Sequence, residues 1–96
     1  MRILIMQRND PGYDDFRAKV LKRDRYHCQM PGCKSYRKQL EVHHVLTYSR
    51  FRALRTETSN GITLCKKCHK EIQGKERHYQ NLFTEIIFKN ETRLKK

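Results

Sequence analysis

Four cysteines set as two pairs, Cys28-x4-Cys33 and Cys65-x2-Cys68, constrain this chain more than any other feature. Apolar residues make up 36% of the 96 positions and charged residues 33%, so the hydrophobic core must be thin. A chain of this size and composition commonly relies on a covalent or metal staple. Four thiolates close a tetrahedral shell with no open position, which is how structural zinc is held. Such a site contributes roughly 10 to 16 kcal/mol to folding. Pro31-Gly32 supplies the tight reversal that turns Cys28 and Cys33 toward one point. Disulfides, or four buried free thiols, are the alternatives. Met1-Arg2-Ile3-Leu4-Ile5-Met6 is too short an apolar run for a signal peptide, and no stretch approaches a membrane span. A cytoplasmic chain keeps its thiols reduced, and that favours zinc.

Charge narrows the partners. Lys and Arg number 22 against 10 Asp and Glu, a net charge of +12. Such an excess repels itself in a compact fold unless a polyanion is its neighbour, and nucleic acid is that polyanion in the favoured reading. A solubility charge or a membrane-surface patch remains as the alternative. The basic residues are spread along the chain and not confined to one amphipathic helix, which argues against the membrane.

One domain is expected, with an arm at 1–12, a stapled core at 13–74 and a helix with a basic tail at 75–96. The arm is a short strand or disordered. Asn9-Asp10-Pro11-Gly12 is a turn from which Asp10 or a following residue can cap a helix. Tyr13, Phe16, Val20 and Leu21 then carry a helical stripe, with Arg17, Lys19, Lys22 and Arg23 on the outer face. The spacing predicts a strand over 39–45, an ordered loop over 46–59 with one turn near Phe51 and Leu54, and a second strand over 61–65. A helix follows from Lys66 and is interrupted at Gly74. Tyr79, Leu82, Phe83, Ile86 and Ile87 form a core-facing stripe on a last helix, with 90–96 as a frayed tail. An exposed stripe would instead mark a protein-binding adaptor.

Three of the five histidines lie between positions 28 and 69. His43-His44 ends the first strand, and His69 directly follows Cys68. A lone histidine would be packing or a cap, but His43, His44 and His69 share the stretch with Asn60. Val42-His43-His44-Val45, Asn60-Gly61-Ile62-Thr63-Leu64-Cys65 and Cys65-Lys66-Lys67-Cys68-His69 together resemble the signature of the HNH endonucleases, over about residues 13 to 74. The four-cysteine form is similar to small free-standing phage enzymes. The resemblance implies an α+β domain with a ββα-metal core, a structural zinc site of four cysteines and flanking helices. It also implies metal-dependent hydrolysis of DNA phosphodiester bonds, leaving a 5′-phosphate and a 3′-hydroxyl. His44 would be the general base, His43 and His69 the ligands of a catalytic divalent cation, and Asn60 the residue that steadies His44. A neutral imidazole near pH 6.5 can take a proton from water.

Neighbours on a regular strand face opposite sides, so the strand is expected to end or twist at His43-His44. The commoner family pattern has Asp where this chain has His43. Two imidazoles and no fixed negative charge make a softer site, so Mn²⁺, Ni²⁺, Co²⁺ or Zn²⁺ join Mg²⁺ as activators. Arg50, Arg52 and Arg55 are candidate phosphate clamps. The expected partner is DNA, with a phage or repair protein as a possible second. A non-catalytic zinc module that binds DNA is the competing reading, and it has no use for His43, His44, Asn60 and His69 together.

Overall fold

The computed structural model describes residues 12–33, 35, 39–46 and 52–94, with only the backbone of Arg52. The arm at 1–11, the basic loop around 36–38, and Arg50 with Phe51 lie outside the described residues.

Helix α1 runs Tyr13–Arg23 and buries Phe16, Val20 and Leu21, the stripe expected from the spacing. Its acidic first turn and basic last turn both complement the helix dipole. Gly12 occupies the N-cap without a side-chain bond. Strand β1 (Leu40–His44) pairs antiparallel with β2 (Gly61–Cys65), His43 opposite Ile62 and His44 opposite Gly61. Two 3-10 turns, Arg52–Leu54 and Thr58–Asn60, punctuate the connecting loop. Helix α2 (Lys66–Glu71) follows β2 at once, completing the ββα unit. Helix α3 spans Glu76–Leu94. Among the described residues no helix is long and apolar enough to cross a membrane.

The sheet divides two apolar clusters. On one side Val42 packs with Phe16, Val20 and Leu21 of α1. On the other, Ile62, Leu64 and Ile72 meet Phe83 and Ile87 of α3 beside Cys28, Cys65 and Cys68. Tyr79, Leu82 and Ile86 are partly buried against that cluster. The stripe on α3 is therefore core and not a free docking face.

Two expectations need correction. Residues 90–94 are not a frayed tail: α3 continues to Leu94 and Asn90 is buried. Arg23 is not on the outer face of α1 but is only 3% exposed. Its Nε and Nη2 donate to both carboxylate oxygens of Asp24, at 2.8 and 2.9 Å. Asp24 also accepts from Thr63 N (2.9 Å) and Asn90 Nδ2 (2.8 Å). A buried charge is tolerable only when paired and saturated with hydrogen bonds, and here both conditions hold.

Candidate functional site

The cysteines form the first half of the site. Gly32, at φ 87°, makes the reversal between the first pair, and Cys33 N donates to Met30 O at 2.9 Å. Cys65 is the N-cap of α2, its sulfur accepting from Cys68 N. The four Sγ atoms lie within 4.8 Å of one another, Cys33 and Cys65 at 3.9 Å. Four sulfurs each 2.3 Å from one ion stand about 3.8 Å apart, so the cluster can hold a metal ion. Without a cation the thiols cannot all ionise together. Burial and the surrounding thiols push Cys68 far up, while a hydrogen bond with Ser35 draws Cys33 down to about 6.

The histidines form the second half. β1 runs regularly through His43 and His44, so the expected twist is not found and the two rings project to opposite sides. His43 turns toward α2 and α3, its ring centre 5.2 Å from His69 and 5.7 Å from Phe83. Its Nε2 is buried with no hydrogen-bond partner among the described residues. Such a nitrogen is costly to leave unpaired, and a cation would satisfy it. Burial, aided by repulsion from His69, lowers its pKa to about 4. The ring is therefore neutral at physiological pH, the form that binds metals. Two imidazoles sharing one ion at about 2.0–2.1 Å have centres roughly 4.5 to 5.2 Å apart, so the observed spacing suits a shared ion.

Glu41 was not among the candidates. It lies two residues before His43 on the same face of β1, and His69 Nδ1 donates to its Oε1 at 2.6 Å. A carboxylate only accepts, so the proton sits on Nδ1 and Nε2 keeps the lone pair a metal needs. Glu41 places a carboxylate behind His69, outside the two-imidazole donor set expected for the cation. The period-2 pattern of the strand would have shown it.

His44 faces α1, stacked on Phe16 with centres 5.0 Å apart and planes at 19°. Its Nε2 lies 2.8 Å from the carbonyl of Arg55. A carbonyl cannot donate, so Nε2 carries the proton and Nδ1 is the basic nitrogen. Asn60 holds the turn that presents this carbonyl. Its Oδ1 accepts from Leu46 N at 2.9 Å, and its Nδ2 donates to Leu46 O and Leu54 O at 3.2 and 3.3 Å. Arg55 thus enters through its backbone. His27 and His78 are both exposed; His27 Nδ1 lies 2.6 Å from Arg25 O and His78 stands edge-on to Tyr79. Lys66, Lys67 and Lys70, all exposed, surround His69 on α2.

A strand pair and helix with histidines at this junction define the ββα class of nuclease domain. Residues 27–75 match the family described as HNH endonuclease, and the chain belongs to that family. The family generally hydrolyses nucleic acids and its domains use divalent cations, and such a domain implies DNA binding. No curated protein and no solved structure matches the chain.

Proposed function

We propose that the chain is a metal-dependent DNA endonuclease in which His44 is the general base and His43 with His69 holds one divalent cation. The observation that carries this reading is the pair of ring hydrogen bonds, from which opposite tautomers follow. His69 donates its Nδ1–H to Glu41 and keeps a lone pair on Nε2, while His44 donates its Nε2–H to Arg55 O and keeps a lone pair on Nδ1. Packing alone has no need to set the two rings oppositely. When bound, the cation would stabilise charge on the scissile phosphate and the leaving oxygen. His44 Nδ1 accepts a proton from the attacking water. A phosphodiester laid across the end of β1, where pairing stops, reaches His44 from one side and the His43–His69 pair from the other. Lys66, Lys67 and Lys70 lie beside His69 and can take flanking phosphates. The four-cysteine cluster is read as a zinc site of purely structural role, since its shell has no open position.

The test is incubation with supercoiled plasmid across several divalent cations, with an EDTA control, for wild type and His44→Ala. Cation-dependent conversion by wild type, and none by a His44→Ala protein that still binds DNA, is the expected result. If wild type cuts with no cation, a non-catalytic DNA-binding module replaces this reading.

A further inference from the structure

The buried Arg23 does more than pair with Asp24. Its Nη1 donates to Thr58 O at 2.8 Å and its Nη2 to Gly61 O at 2.6 Å. These carbonyls flank Asn60, so one planar guanidinium grips the Asn60 turn on both sides. Asn60 in turn fixes Leu54 O and both polar groups of Leu46, and the next carbonyl, Arg55 O, accepts the hydrogen bond from His44 Nε2–H. The grip is itself held from α3: Asn90 Nδ2 bonds Asp24 Oδ1, and Arg93 Nη2 donates to Arg23 O at 2.9 Å. Arg23, Asn90 and Arg93 all lie outside the family-matched segment 27–75.

We propose that Arg23 is a positioning residue for His44, acting through the Asn60 turn. The proposal rests on His44 being the base. A buried ion pair is weak as a source of stability, because desolvation offsets its attraction. What a guanidinium supplies and an ammonium does not is several donors in a rigid plane, able to span two carbonyls and a carboxylate at once. Lysine at position 23 would keep the charge and lose the span.

The experiment compares wild type with Arg23→Lys as full chains carrying their thiol-bound metal. Four quantities are read: melting temperature, DNA affinity, single-turnover cleavage with saturating Mn²⁺, and the ¹⁵N shifts of the His44 ring where it is neutral. Cleavage should slow by roughly 10- to 100-fold, as small misplacements of reacting groups do, with DNA affinity unchanged. The His44 ring should pass from a single Nε2–H tautomer to a mixture. If either the rate or the tautomer stays as in wild type, the proposal is overturned, however far the melting temperature falls. Should wild type itself fail to cut with any cation, the endonuclease reading falls, and the tautomer comparison alone decides the positioning role. If Arg23→Lys does not fold, Asn90→Ala removes one support from α3 and leaves Arg93 in place. The same two readings then apply, with smaller changes expected and unchanged values overturning the proposal.

Discussion

Replacing Gly61 with alanine should destabilise the protein, although the backbone there suits any residue. Gly61 has φ −114° and ψ 144°, an extended conformation in which alanine is unstrained. Backbone entropy alone would then make the change stabilising by about 0.4 to 1 kcal/mol. Space decides otherwise. A Cβ at 61 would stand 2.7 Å from Phe16 Cζ, 2.9 Å from Val20 Cγ2 and 3.0 Å from Phe16 Cε1. Ordinary carbon contacts are about 3.5 to 4.0 Å, so the Phe16 ring must retreat by about 1 Å. Phe16 and Val20 are 1% and 0% exposed and have nowhere open to go. Overpacking of this kind costs about 1 to 3 kcal/mol, leaving a net loss between about 0 and 2.6 kcal/mol, centred near 1.3. At about 4 to 8 °C per kcal/mol for a domain of this size, the central value corresponds to a fall in Tm of roughly 5 to 10 °C. Because Phe16 stacks on His44, plasmid cleavage should fall too. Thermal melts of metal-loaded protein measure the first effect and cleavage assays the second. Adding Phe16→Leu should recover part of the lost stability, a non-additivity expected of touching residues. A Gly61→Ala protein melting at or above wild type would refute the steric argument.

Three other perturbations address the metals. Cys65→Ala should unfold the chain and abolish metal binding by the thiol cluster, checked by circular dichroism and elemental analysis; a stably folded variant would remove the structural role. Glu41→Gln keeps the shape but loses the charge behind His69, and should weaken affinity for the exchangeable cation by roughly 10- to 100-fold, read by calorimetry. Manganese, nickel or cobalt should support cleavage better than magnesium, which prefers oxygen ligands. His43→Asp should then raise the magnesium-to-manganese rate ratio, and an unchanged ratio would mean that residue 43 does not touch the metal.

What the sequence disclosed, and what it withheld, follows from the range of each interaction. The stripes on α1 and α3 are set by local periodicity, so Phe16, Val20, Phe83 and Ile87 were legible. So was the four-cysteine cluster, because its spacings encode the geometry. Arg23 was misread because nothing local separates a buried arginine from an exposed one: its partners at Thr58, Gly61 and Glu91 are brought in by tertiary contact. Glu41 was legible in principle, being two residues before His43, but its meaning required knowing that His69 comes back to the same face. The extension of α3 to Leu94 was missed for a related reason. Asn90 interrupts the apolar pattern, yet it is held inside by Asp24 and Gln29.

The way α3 closes over the sheet bears on how this nuclease motif can be moved between proteins. Residues 27–75 carry every cysteine and every histidine assigned a role, and would look like a portable cassette. Yet Phe83 and Ile87 plug the apolar cluster on which Cys28, Cys65 and Cys68 rest, and Phe83 also backs the ring of His43. Excised at those bounds, the cassette would present an open hydrophobic wound where α3 lay and a loose turn where Arg23 gripped. A recipient protein would have to bring its own lid and its own guanidinium, so the transferable unit is the motif together with the two helices that bracket it.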